Sequence, residues 1–328
     1  MLRVSQGRYV LTALALTASL VAAQRPPASV PLTRVLASSA DVNADDLRHP
    51  MSIESIGIAG DSLYLVDRRL PGIVVMDARS LRIVGAIARR NGGGPGELRV
   101  PARVVPWRGQ LAVGDLGNGR ITLFRLDGSV SQETPLPTPF AAQDFLITPH
   151  GSIVVAAGRA ADHLLLAGDT MLRTPSKPLG ARPVPASTDP SAGRRLLVGT
   201  RSSGDVLVVD EATGSLLSIT RDGRVQTVWT APIAYRDSVH QEREGIRRRN
   251  APNVVIPVPF FADATLDSDR VLLLGKESLW RIDLTTQRVE RFAVPRSSTG
   301  ERPPRFVRQH GDRIILATDH EVFLIAPR

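Results

Sequence analysis

Leu111-Ala112-Val113-Gly114-Asp115-Leu116-Gly117-Asn118-Gly119-Arg120-Ile121-Thr122-Leu123-Phe124 contains two short apolar runs separated by a polar, glycine-containing turn. Runs of four, bounded by Asp, Gly or charged residues, carry no 3.6-residue stripe, so they predict strands rather than helix. Hydrophobicity that is continuous instead of alternating predicts strands covered on both faces. The same pairing recurs along the chain. Leu63–Val66 goes with Ile73–Met76, Leu111–Gly114 with Ile121–Phe124, and Ile153–Ala156 with Leu164–Ala167. Val206–Val209 then goes with Leu216–Ile219, Val271–Leu274 with Leu279–Ile282, and Ile314–Ala317 with Val322–Ile325. Within each pair the starts lie 10, 10, 11, 10, 8 and 8 residues apart, the spacing of two strands joined by a tight connection.

From pair to pair the first runs start 48, 42, 53, 65 and 43 residues apart. Most of these fit the roughly 40–50 residues of a four-stranded propeller blade. More polar third strands follow at Arg82–Ile87, Ser129–Leu136, Arg224–Trp229 and Val289–Val294. Inner strands are expected at Met51–Ala59, Asp144–Thr148, Arg195–Gly199 and Phe306–Gln309. The fold expected is therefore all-β, a six-bladed β-propeller of four-stranded antiparallel blades occupying residues 49–328; five or seven blades would require a misread pair. The last blade runs out of chain after Val322–Ile325, so its fourth strand must come from elsewhere. Val30–Leu36, within an N-terminal segment at 24–48, is the expected closing strand, and Pro31, having no N–H, suits an outermost edge. The interval of 65 residues marks an insertion between blades four and five, at 235–262. There Tyr235–Arg249 has helical composition and pairs Glu244 with Arg248 at i,i+4, while the proline-punctuated Ala251–Pro259 reads as loop or extended chain.

Leu111–Ile121 resembles the NHL-repeat signature, in which an Asp ends one strand and an Asn-x-Arg precedes the next. The Asp recurs as Asp67, Asp210 lies one residue later in its repeat, and Gly158 stands in its place in the third. Asn91-Gly92-Gly93-Gly94-Pro95-Gly96-Glu97-Leu98 is similar to the GPGE segment of exported bacterial six-bladed β-propellers. The resemblance covers about residues 50–328. It implies a fold and an exported location and no particular activity.

Export is also what the N-terminus predicts. Arg3 and Arg8 precede a twelve-residue apolar stretch, Val10–Val21, and Val21-Ala22-Ala23 offers small residues at a cleavage site. Residues 1–23 thus read as a secretory signal peptide, too short for the ~20 residues of a spanning helix. The expected product is periplasmic or secreted, monomeric and not membrane-spanning. Of 328 residues, 42% are apolar and 22% charged, a globular balance. The net charge of +9 comes from 41 basic residues, and only Lys177 and Lys276 among them are lysine. A bias so lopsided points to codon usage more than to a basic surface. Cysteine is absent, which excludes disulfides, thiolate metal sites and catalytic thiols.

The glycine-rich loop lacks the Lys-Ser/Thr of a Walker A motif, and an acidic residue follows it where a dinucleotide fingerprint needs helix. It reads as an inter-blade connection whose glycines supply positive φ. Asp67 and Asp115 sit after strands, where Asp bonds its own downstream backbone. The histidines, His49, His150, His163, His240, His310 and His320, form no close metal-ligand spacing. No G-x-S-x-G occurs, and no cofactor or metal is implied. With only 14 aromatic residues, stacking platforms for nucleic acid are not expected; Trp107, Trp229 and Trp280 read as core. The candidate ligand or partner rim comprises Arg90 and Glu97 beside the loop, with Arg243, Arg247, Arg248 and Arg249 on the inserted helix. Such a rim would attract an acidic envelope component or a partner protein. The function expected is an exported binding scaffold, the alternative a hydrolase or lyase in the mouth of the central channel.

Overall fold

The computed structural model describes residues 30–31, 34–39, 52–69, 72–88, 91–138, 144–157, 163–168, 173–181, 195–249, 258–294 and 303–326. Residues 1–23, expected to be a signal peptide, and Arg90 lie outside the described residues. Two N-terminal strands, β1 (Val30–Pro31) and β2 (Arg34–Ser38), precede the blades. Blade one is β3 (Ile53–Ala59), β4 (Ser62–Asp67), β5 (Gly72–Asp77) and β6 (Ile83–Ala88). Blade two is β7 (Pro101–Trp107), β8 (Gln110–Asp115), β9 (Arg120–Arg125) and β10 (Val130–Pro135). Blade three is β11 (Phe145–Ile147), β12 (Ile153–Ala156), β13 (His163–Ala167) and β14 (Lys177–Ala181). Blade four is β15 (Arg195–Thr200), β16 (Val206–Asp210), β17 (Ser215–Ile219) and β18 (Val225–Thr230), followed by helix α1 (Ile233–Arg249). Blade five is β19 (Asp263–Asp267), β20 (Arg270–Leu274), β21 (Ser278–Asp283) and β22 (Val289–Ala293). Blade six adds β23 (Phe306–His310), β24 (Arg313–Ala317) and β25 (Val322–Ala326). Within each blade consecutive strands pair antiparallel, and neighbouring inner strands touch around the ring, β23 returning to β3.

Each paired apolar run is buried on both sides because alternate residues face different neighbours. Along β20, Val271 and Leu273 pack toward blade four, whereas Leu272 and Leu274 pack toward blade six. In β8, Leu111 and Val113 face blade one and Ala112 faces blade three. Among the described residues the core is six clusters, one per blade-to-blade interface. Each fully buried aliphatic side chain contributes about 1.5–3 kcal/mol, so the stability resides between blades. Two interfaces are close enough to demand glycine: a Cβ on Gly57 would meet Pro106 Cδ at 2.7 Å, and one on Gly199 would meet Leu266 Cβ at 2.7 Å.

The N-terminal strand closes the last blade, with corrected bounds. Instead of Val30–Leu36, β2 pairs with β25, Arg34 opposite Ala326 and Ser38 opposite Phe323, with an irregularity between Val35 and Ala37. Polar anchors hold this register: Ser38 Oγ bonds Glu321, and Ser39 Oγ accepts the Val322 N–H at 2.9 Å. Val30 and Pro31 run parallel to Phe292 and Ala293, so Pro31 occupies the outermost edge of blade five rather than of blade six. The helix starts two residues before Tyr235. The strands that complete the four-stranded blades without an assigned range in the sequence, β7, β14 and β19, are the less apolar ones.

Antiparallel order puts first-to-second and third-to-fourth strand turns at one end of the disc. The second-to-third turns and every inter-blade connection emerge at the other. The first end is compact, with Leu81, Arg108, Ser268 and Gln287 in left-handed conformation in its turns. The other end carries the glycine-rich loop, α1 and the aspartates that close the second strands; it is called the loop face below.

Candidate functional site

The aspartates of the loop face are structural anchors. Asp67 accepts the Ser52 N–H at 2.7 Å and the Arg69 N–H at 2.7 Å, stitching the entry of β3 to its own turn. Asp115 does the same for blade two, accepting from the N–H groups of Arg99 (2.8 Å), Val100 (2.9 Å) and Gly117 (3.0 Å) and from Asn118 Nδ2 (2.7 Å). Asp210 caps Thr213 at 3.2 Å and faces Arg195 at 3.5 Å. All three are buried, and their bonds satisfy backbone donors that would otherwise be stranded.

The glycine-rich loop is bound from within the same system. Asn118 Nδ2 donates to Gly92 O at 2.9 Å, and Arg120 Nη2 donates to Glu97 O at 3.1 Å. Glu97 Oε2 accepts the Gly94 N–H at 2.9 Å, and Glu133 Oε1 accepts the Gly96 N–H at 2.9 Å. Two carboxylates thus occupy the loop's amides. Only Gly96 of its four glycines takes left-handed φ, at 70°, and a Cβ there would meet Val130 Cγ2 at 2.5 Å.

On the ring axis, near the loop face, four charged side chains converge from four inner strands or their entries. Arg103 of β7 faces Asp144, just before β11, at 3.6 Å and reaches Asp263 of β19 at 4.0 Å. Asp263 Oδ2 takes the Val307 N–H at 2.9 Å and pairs with Arg308 of β23. Arg308 Nε donates to Ile56 O at 2.8 Å, and Asp144 Oδ2 accepts the Leu197 N–H at 3.0 Å. All six blades are thereby joined through four side chains. Burial pulls the Arg308 pKa down, with Asp263 opposing it.

Helix α1 lies across the second-to-third turns of blades four and five. Arg243 points inward: Nε donates to Val258 O at 2.8 Å, both Nη atoms reach Glu211 O at 3.3 Å, and the guanidinium stacks over Phe260 at 4.5 Å. Glu211, buried, accepts the N–H groups of Phe260 and Phe261. Tyr235 donates to Phe260 O at 2.5 Å, and burial, reinforced by Glu211, raises its pKa. Trp229 and Trp280 meet Tyr235 and Phe261 in tilted and edge-on ring contacts beneath the helix. The helix's last turn is exposed. Arg247 and Arg248 share Glu244, at 2.8 and 2.9 Å, and their hydrogen bonds, Arg247's first, hold its carboxyl below the usual carboxylate range.

Of the six rim residues expected from sequence, Arg247, Arg248 and Arg249 sit together and exposed, while Arg243 is the buried foot of the same helix. Glu97 lies on the connection between blades one and two, across the ring from α1, and its carboxylate is engaged with its own loop. The axial quartet escaped sequence reading because its members stand 41 or more residues apart, each a lone charge at the start of an inner strand. The available signal was phase: each follows an inter-blade connection by at most a few residues.

No family model and no curated protein sequence matches this chain. Solved structures do. Virginiamycin B lyase from Staphylococcus aureus is 11% identical with a TM-score of 0.53, over 86% of this chain and 97% of that one. A Bacteroides fragilis protein classed as exported is 10% identical, TM-score 0.54, over 86% and 91%. A Bacteroides thetaiotaomicron protein of unknown function is 9% identical, TM-score 0.55, over 85% and 70%. At such identities the likeness is one of fold, and this chain is a six-bladed β-propeller. Among the described residues no helix is long and apolar enough to cross a membrane.

Proposed function

We propose that this protein is an exported, periplasmic or secreted, monomeric binding scaffold whose loop face holds an acidic partner, a protein or a component of the envelope. The observation that carries the reading is the division of labour within α1. Its foot is locked by the buried Arg243–Glu211 pair, while its last turn projects three guanidiniums against one carboxylate. A pre-ordered cationic surface loses little freedom on binding and attracts acidic surfaces over a range set by salt. The hydrolase or lyase alternative would need proton-moving groups in the channel mouth. The two carboxylates there each accept a backbone N–H and face a guanidinium, which commits them to structure.

The test replaces Arg247, Arg248 and Arg249 with Ala and compares co-purification from the native envelope. Stability is expected to stay within about 0.5 kcal/mol of wild type, while the co-purified component is lost, and raising salt should mimic that loss. Undiminished co-purification, or loss of folded protein, would overturn the reading.

A further inference from the structure

Two asparagines precede a glycine, Asn91 and Asn118, and both belong to the glycine-rich loop and its anchor. Asparagine is a thermolabile residue, and a following glycine, with no Cβ, leaves its own backbone nitrogen open to close approach by the carboxamide. The two sites share this chemistry and differ in how they are held. At Asn118, half-buried, Nδ2 donates to Asp115 Oδ2 at 2.7 Å, to Gly92 O at 2.9 Å and to Glu97 O at 3.3 Å. Its backbone N–H reaches Asp115 Oδ1 at 3.3 Å as well. Asn91 is exposed, and its carboxamide has no hydrogen bond among the described residues. The nitrogen that follows it is lightly held: the Gly92 N–H reaches Leu98 O at 3.3 Å, just past the ~2.7–3.2 Å of such bonds. Packing favours glycine at 92, because a Cβ there would overlap the Glu97 carboxylate. The loop's own structure thus keeps the reactive pair in place.

We propose that Asn91 is a site of spontaneous deamidation and that Asn118 is protected from the same reaction by its anchoring bonds. The Gly92 nitrogen gives up its proton and bonds Asn91 Cγ; the Cγ–Nδ2 bond breaks, and the nitrogen takes up a proton and leaves as ammonia. Water then opens the resulting cyclic imide at one carbonyl or the other, leaving an aspartyl or an isoaspartyl residue at position 91. Both products place a new negative charge on the loop that carries Glu97. The isoaspartyl form also inserts a carbon into the main chain between positions 91 and 92, and Gly92 is where Asn118 grips the loop. That form should release the loop from its anchor, whereas the aspartyl form should not. The site lies across the ring from α1 and does not rest on the acidic-partner reading.

The experiment ages the full chain at mildly alkaline pH, folded and in denaturant, and follows the change from amide to acid in tryptic peptides by mass spectrometry, against a sample digested at once. Cleavage at arginine separates Asn91–Arg99 from Gly109–Arg120, so the two sites are read independently. In the folded chain Asn91 should convert at least ~tenfold faster than Asn118, the worth of one or two of the hydrogen bonds that must break at Asn118. In denaturant the two rates should converge, since both sites are then the same dipeptide in open chain. Asn91→Asp adds the charge without the extra carbon and should leave the Asn118 side-chain amide resonances in place by NMR, whereas aged wild type carrying isoaspartate should shift them. Should that variant fail to fold, the wild-type rates still decide. Equal rates at the two sites in the folded chain, an Asn91 that converts only when unfolded, or Asn118 resonances moved no further by ageing than by Asn91→Asp would overturn the proposal.

Discussion

The two ends of this disc are built by different means. At the compact end, turns are shaped by backbone conformation and by exposed carboxylates that bond their own turn: Asp77 accepts the Ser80 N–H at 2.7 Å and Asp283 the Thr286 N–H at 2.7 Å. On the loop face, long connections are held by buried charged side chains, Asp67, Asp115, Glu211 and Arg243 among them. Short turns need only local geometry. Long connections carry backbone groups over the blade ends, and each must be satisfied by a side chain reaching from elsewhere. The loop face is therefore where single substitutions should matter and where binding surface can be varied on a rigid frame.

The largest effect is expected where neither end is touched. Starting the chain at Asp41 removes β1 and β2 and exposes the edge of β25, so melting temperature should fall further than for any point change below, with self-association on gel filtration. If it melts like wild type and stays monomeric, strand closure contributes nothing and the face anchors carry the ring. Next comes Arg243→Ala, which strands Glu211 in the interior; breaking a buried pair in this way costs about 3–5 kcal/mol, read by chemical denaturation. Arg248→Ala on the same helix should be close to neutral. Equal losses for the two would erase the distinction between foot and exposed turn.

The smallest effect is at the compact end. Hydrogen bonds from Ser80 hold the Asp77 carboxyl below its ordinary value, and those from Thr286 do the same for Asp283. A depressed folded-state pKa contributes stability that is complete above the unfolded value and is lost as pH falls through the folded one. These turns should therefore be indifferent to pH between 7 and 5 and weaken only below about pH 4. Asp283→Asn should remove a small part of that acid sensitivity in melts across the range. A strong dependence near pH 6 would show that other groups govern this end.

The blades were legible because their middle strands are apolar on both sides, which no single-faced element can be. All six pairs of runs coincide with second and third strands, from Leu63–Val66 in β4 to Val322–Ile325 in β25. Inner strands were harder. β7 begins and nearly ends with proline, carries Arg103 and is only partly buried, since one side lines the channel. The closing strand was legible as a need of blade six, whereas its register rests on Ser38 and Ser39 meeting residues near the far end of the chain. The candidate site was half legible. A run of arginines announces itself, but nothing local tells that Arg243 turns inward, because its partner Glu211 lies 32 residues earlier on another blade.

The pairing of Ser38 with Glu321 across 283 residues also sets an order in time. Whether the chain emerges from a ribosome or through a membrane pore, β2 is made before any blade and is the last to find its place. Until β25 arrives, β2 has no partner and the sixth interface has no second wall. Contacts this distant slow folding and leave strand edges exposed meanwhile. Completion should therefore come as a single late event, with partial chains retaining open edges that a chaperone or a neighbouring copy could occupy.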